Sequence, residues 1–475
     1  MAVLTLLPVL PRERESGQRG ALGIVLCLLL VFMIGSSGVL AYRNRVTAIP
    51  LDSAAVVVGP GGTLVEVSAA DDLVPGSRVL AGMPDSAELA RKQAAWLAAG
   101  TVPSISGLDS DMVAIALLDL HVLSGANGVP VAGWAQPWRY VWPRDSALVA
   151  SALARTGHLA DAERIVDFLQ RVQPENGLFQ ARYLSDGSGV PDDRGVELDG
   201  LGWALWATEQ VAAELNEGDR TAFLQRHRML LDRSTEAALR SIENRSSLPP
   251  ASPDYWEVKE ERPTLATAAM ICAGLESGAE LYRTLGDAPA AHAATAGATR
   301  LRAAIKKNFG RNGYPRHLGG RSDSADLGVD FLLPPLTSSV DRSLVGVWQQ
   351  AASLMARPAG GLAPGGSWRR DGVSWTNATA SRAMTAAFIE EREEALARLR
   401  WLDQHRTAAG SLPEKVLPDG QPASVSPLAW TAAAVVITAD QLSRNERPAV
   451  NGPPSMARRD WGVGQLSGRV RVSGS

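Results

Sequence analysis

Cysteine is almost missing from this chain, with two in 475 residues. Cys27 lies in an apolar run and Cys272 in a helical stretch, so they cannot build a disulfide framework or a thiolate metal site. Cys272 reads as a small buried residue. Histidine is also scarce: His121, His158, His227, His292, His317 and His405 are scattered, and no two stand at metal-ligand spacing on one helix. No catalytic metal and no cofactor is expected, and no Gly-rich phosphate loop is visible. An excess of one charge is lacking too: 47 Lys and Arg face 50 Asp and Glu, a net charge of −3 with no basic stripe. Nucleic-acid binding therefore has no electrostatic footing. Aromatics make up only 5%, yet Trp supplies 13 against 6 Tyr and 7 Phe. An indole stacks on the C–H face of a sugar while its N–H bonds a hydroxyl, although core packing is the commoner explanation for any single Trp.

One long apolar run is present. Residues 21–42 carry no charge and are long enough to cross a bilayer as a helix. Arg12, Arg14 and Arg19 precede the run, and Arg43 and Arg45 follow it. The run reads as an uncleaved anchor behind a cytoplasmic segment 1–20. A cleaved signal ending near Ser-Gly-Val-Leu-Ala at 37–41 is the alternative. Both readings put the remainder outside the cytoplasm, as a single-pass cell-membrane protein if the anchor stays. Residues 43–84 form a juxtamembrane segment with short strands at 54–58 and 64–67. From 85 to 444 the pattern becomes amphipathic and helical. Helices are predicted over 86–99, 109–124, 144–156, 159–173, 197–216, 219–245, 263–285, 287–309, 340–356, 376–390, 391–406 and 427–444. Tight turns alternate with long loops at 125–143, 174–196, 246–262, 310–339, 357–375 and 407–426, rich in Gly, Pro and Trp. This alternation predicts hairpins set in a ring with one worked face. Residues 445–475 lack periodicity and read as a flexible tail.

Chemistry is sought among carboxylates in those loops. Glu257, in Asp254-Tyr255-Trp256-Glu257, has aromatic neighbours of the kind that raise a carboxyl pKa and suit a general acid. It stands equally well as part of the solvated run Lys259-Glu260-Glu261-Arg262. Glu414, in Leu412-Pro413-Glu414-Lys415, is either a second catalytic carboxylate or a surface partner of Lys415. In Trp142-Pro143-Arg144-Asp145 a proline opens a helix. The Arg–Asp pair there offers donors and acceptors to sugar hydroxyls, or Asp145 simply favours the helix N-terminus. In Glu197-Leu198-Asp199-Gly200-Leu201-Gly202-Trp203, Asp199 can be a cap, and the two glycines imply close approach of something to the backbone.

Four of these segments together resemble glycoside hydrolase family 15, the glucoamylase-like family, over roughly 85–444. They are YVWPRDSALVASAL at 140–153, ELDGLGWALWA at 197–207, DYWEVKEERPTLATAAMICAGLESGAEL at 254–281 and SLPEKVLPDGQPASVSPLAW at 411–430, in the family's order. The resemblance implies an all-α (α/α)6 toroid of about twelve helices. It also implies inverting exo-hydrolysis from the non-reducing ends of α-glucans or α-glucosides. It makes Glu257 the general acid and Glu414 the general base, their carboxyls about 6.5–9.5 Å apart. Arg144 and Asp145 would hold the terminal sugar, Trp142 and Trp256 would shape the pocket, and Asp199 and Trp430 would line it. Lys259 stands where bacterial members commonly carry a sugar-contacting Arg, and it cannot offer the same fork. Lys415 replaces a Gln common after the base. These departures leave open a trehalose or cell-envelope glycan hydrolase, and a catalytically reduced glycan-binding protein on the same fold.

Overall fold

The computed structural model describes residues 49–446. The expected anchor at 21–42 and nearly all of the expected tail lie outside the described residues. Among the described residues no helix is long and apolar enough to cross a membrane.

Thirteen α-helices occur in the described residues: α1 (Ser86–Ala99), α2 (Met112–Ser124), α3 (Pro143–Arg155), α4 (Leu159–Val172), α5 (Gly200–Glu214), α6 (Glu217–Arg226), α7 (Arg228–Ser241), α8 (Leu265–Thr284), α9 (Ala288–Asn308), α10 (Arg342–Met355), α11 (Thr376–Phe388), α12 (Arg392–Gln404) and α13 (Ala429–Glu446). The helix predicted over 219–245 is two helices. They part at His227, whose ring bonds the Phe223 carbonyl at 2.9 Å and Asp167 of α4 at 2.8 Å.

The inner layer closes on itself. Helix α3 packs on α5, α5 on α8 and α8 on the 3-10 helix Leu327–Leu332; that turn packs on α11, α11 on α13, and α13 back on α3. Five inner members are full α-helices, and the sixth place is taken by a single short 3-10 turn. The inner helices are buried on nearly every side, mostly by Ala, Val, Leu and Trp, and in α11 by Ala, Thr and Ser. An outer layer of α2, α4, α7, α9, α10 and α12 packs against them.

Glycine decides how closely two inner helices meet. A Cβ on Gly202 of α5 would stand 2.0 Å from the Met270 carbonyl oxygen of α8, and one on Gly274 would stand 2.4 Å from the Gly202 Cα. The close approach implied by this glycine is therefore a helix crossing.

Each inner element is entered from a long loop at its N-terminal end, and the short turns, such as 156–158 and 285–287, lie at the other end. A small sheet sits on the loop face: β3 (Ser374–Trp375), β4 (Lys415–Val416) and β5 (Pro422–Ala423) pair antiparallel in that order. The N-terminal part forms a hairpin of β1 (Ala55–Val58) and β2 (Leu64–Val67), with Ala55, Val57, Val67 and Leu73 making a second small core.

Candidate active site

Pro143 opens α3 with its φ already helical. It places Arg144 and Asp145 in the first turn, where their side chains are 3% and 8% exposed. Arg144 is the hub. Its Nη1 lies 2.9 Å from Glu197 Oε2 and 3.5 Å from Asp199 Oδ2, its Nη2 lies 3.4 Å from Glu257 Oε1, and its Nε lies 4.0 Å from Asp145 Oδ2. Its guanidinium also stands 5.5 Å from the Trp430 ring centre. Burial works against this cation, but Glu197, Asp199, Asp145 and Glu257 outweigh it and hold Arg144 above the ordinary arginine range. Burial raises the carboxyls in turn. Asp145 is pushed up to about 7, with Arg144 pulling the other way and both Glu257 and Glu414 adding to the push. Burial takes Asp199 to about 6 against the pull of Arg144, and lifts Glu197 well above the usual carboxylate range. Burial thus raises three carboxyls around one guanidinium, against the pull of Arg144.

Glu257 is reached through a tight turn. Its N–H donates to the Asp254 carbonyl at 2.7 Å, and its φ is +53°, in the left-handed region. That turn is pinned from beneath by Arg316. Its Nη2 bonds Asp254 at 2.7 Å and Glu260 at 2.6 Å, its Nη1 bonds Asp326 at 2.8 Å, and its guanidinium lies 3.7 Å from the Trp256 ring centre. The carboxylate of Glu257 meets two cations where the neighbouring Trp and Tyr suggest an apolar setting. It is 31% exposed and ion-paired to Arg144 on one oxygen and Arg194 on the other.

Glu414 lies in the 405–428 loop that leads to α13, with its side chain 9% exposed. Ser424 Oγ donates to Oε2 at 2.6 Å, Lys415 Nζ stands 3.0 Å from the same oxygen, and Trp138 Nε1 donates to Oε1 at 3.3 Å. The pairing with Lys415 exists, but it is buried at the ring's mouth. Its Nζ lies 4.5 Å from the Trp375 ring centre.

The structure thus gathers Asp145, Asp199, Glu257 and Trp430 around Arg144, and Glu414 accepts from Trp138 in the loop that enters the same helix. Asp199 precedes α5 without capping it; its Oδ2 accepts from Trp203 Nε1 at 3.1 Å. Trp142 is buried with an unpartnered indole N–H, and the Arg182 guanidinium lies 5.0 Å from its ring centre. Trp256 is likewise buried at its Nε1 without a partner, while Trp430 Nε1 is used up on Ser381 at 2.9 Å. Lys259 is not brought in: its side chain is exposed, and among the described residues it makes no hydrogen bond or ion pair with the cluster. The next residue, Glu260, turns inward to Arg316 and His317 instead.

Glu197, Trp138, Arg194, Arg316 and Ser424 were not picked out by sequence reasoning. Glu197 was legible in principle, two residues before Asp199 in the same loop. Arg316 and Ser424 carry no local signal, since their partners lie in other loops.

No protein-family model matches the chain, and no curated protein matches it in sequence. Solved structures do. A wild-type glycosidase superposes with a TM-score of 0.61 at 23% identity, over 71% of this chain and 99% of its own. A bacterial glucoamylase complexed with acarbose gives 0.59 at 19% identity, over 74% and 57%. A glycoside hydrolase family 15 glucoamylase from Hypocrea jecorina gives 0.54 at 14%, over 71% of each chain. At these identities the likeness is one of architecture: the chain has the helical-toroid fold of glucoamylase-like glycosidases.

Proposed function

We propose that this chain is an inverting, exo-acting glycoside hydrolase that releases glucose from the non-reducing ends of α-glucans or α-glucosides. The observation that carries the reading is that glutamates from two loops, 157 residues apart, reach the entry of one helix: Glu257 pairs with Arg144 in its first turn, and Glu414 accepts from Trp138 in the loop that leads into it. Glu257 gives its proton to the glycosidic oxygen as the bond to the leaving sugar breaks. Glu414 takes a proton from the water that attacks the opposite face. Ser424, Lys415 and Trp138 all point donors at Glu414 and fix its carboxyl in place. Arg144 and Asp145 supply a donor fork and an acceptor for the terminal sugar's hydroxyls. Trp142, Trp256, Asp199 and Trp430 shape and line the hollow.

Residues 21–42 would tether this body to the outer face of the cell membrane. A glycan-binding protein with reduced catalysis is favoured by one observation: Glu257 is clasped by Arg194 as well as Arg144, a geometry that a binding site can keep unchanged. To donate a proton, the carboxyl has to leave Arg194.

The leaving group separates the two readings. For Glu257→Gln, turnover of substrates with poor leaving groups should fall by about 10²–10⁴, and that of activated fluorides or nitrophenyl glucosides should fall far less. Equal losses on both kinds, or no turnover by the unaltered chain on α-1,4, α-1,6 and α,α-1,1 glucosides, would reject the acid assignment or the hydrolase itself.

A further inference from the structure

The segment before the ring is stitched to the loop that carries Glu414. Ser424, whose hydroxyl bonds the Glu414 carboxylate, has a φ of +67°, a conformation that L residues adopt only when held. Part of that hold comes from the far end of the chain. The Ser424 N–H donates to the Pro50 carbonyl at 2.7 Å, and the Asp52 N–H donates to the Ser424 carbonyl at 3.0 Å, so Leu51 pairs in parallel with Ser424 beyond the end of β5. Two side-chain bonds continue the seam: Ser53 Oγ donates to the Ser426 carbonyl at 2.7 Å, and Thr407 Oγ1 donates to the Ala54 carbonyl. The loop closes on itself between these points, with the Glu414 N–H on the Val425 carbonyl at 2.8 Å. Arg78 reaches the same loop from the other side. It is buried, it pairs with Asp119, and it donates to Ser411 Oγ at 3.1 Å.

We propose that residues 50–54 are a positioning strand. They clamp the backbone of Ser424 and, through its hydroxyl, orient the Glu414 carboxylate. The stretch between the apolar run and the ring would then be part of the site and not a spacer. The role assigned to Glu414 rests on the hydrolase reading; the hold on Ser424 does not. A single added strand with two backbone bonds has no other evident task here, because the apolar packing of this segment is already done by β1 and β2, whose small core includes Ala409 of the same loop at its edge.

The test uses the full chain carrying Asp52→Pro with Ser53→Ala, which removes one backbone and one side-chain donor from the seam. Backbone hydrogen exchange over 422–428 should quicken. On an α-glucoside, kcat should fall by about tenfold to a hundredfold, with KM within about twofold, as expected when a base is misaimed while the sugar is still bound. If the double variant fails to fold, Ser53→Ala and Thr407→Val taken singly carry the test with the same readouts. Unchanged exchange over 422–428, or quickened exchange with unchanged kcat, overturns the proposal. Should the unaltered chain release no sugar from any α-glucoside, the hydrolase reading fails, and the exchange result alone decides whether the strand holds Ser424.

Discussion

At the scale of single residues the site is defined by an imbalance: Asp145, Glu197, Asp199 and Glu257 surround Arg144. Asp145 stands farthest from that cation, at 4.0 Å, and burial pushes it up to about 7. A carboxyl whose folded pKa lies above its unfolded value of 3.8 binds more protons folded than unfolded between those two values. Stability therefore falls as pH rises from about 4 to about 7, and the cost is fully present above that window. Asp145→Asn should accordingly raise the melting temperature by about 2 °C or more at pH 8. The gain should fade as pH is lowered toward 4, and sugar hydrolysis should be lost. A melting temperature that drops equally at both pH values would show Asp145 to be a structural partner of Arg144 first. Arg194 makes a second residue-scale case. It is the exposed member of the pair clasping Glu257, at 37% against 3% for Arg144. Arg194→Gln should raise turnover of substrates that need a proton and leave activated ones unchanged. A fall on both would place Arg194 on the substrate instead.

At the scale of elements, the helix periodicity was easy to read and the tightest joint was partly so. Two glycines in Gly200-Leu201-Gly202 signal a close approach; Gly202 meets the backbone of α8, and Gly200 meets the Phe179 side chain. In Gly202→Ala the new Cβ would collide with the Met270 backbone, which cannot rotate away as a side chain can. The cost should be about 3 kcal/mol or more in denaturant unfolding; a loss below about 1 kcal/mol would mean that α5 and α8 slide apart freely. The break at His227 was invisible, because it depends on Asp167 from another helix. The 3-10 turn at Leu327–Leu332 falls within the loop expected over 310–339, since six residues carry too little periodicity to mark an inner ring member. The loops follow the same rule. Pro143-Arg144-Asp145 is legible because its logic is local: a proline starts a helix and aims the next two residues. The surroundings of Glu257 are not legible from its sequence neighbours. Adjacency to Trp256 and Tyr255 in sequence suggested an apolar pocket, whereas a left-handed turn swings the carboxylate toward two guanidiniums. Arg316 lies 62 residues from Asp254 and 10 from Asp326, and no spacing rule joins them.

For the whole molecule, the ring explains how loops far apart in sequence come to one face. Long loops all enter the inner helices at one end, so residues from 138 to 430 converge on one face. The N-terminal segment joins that face through Ser424. The apolar run at 21–42 ends a few residues before this seam. The full chain should therefore pellet with membranes and resist an alkaline carbonate wash, whereas a soluble, shortened product would assign the run to a cleaved signal. The most direct test of the central claim, an acid and a base acting from opposite sides of one sugar, is the anomer released first. Proton NMR during hydrolysis of an α-glucoside by the full chain in detergent should show β-glucose appearing before mutarotation. Initial release of α-glucose would contradict a water-activating Glu414.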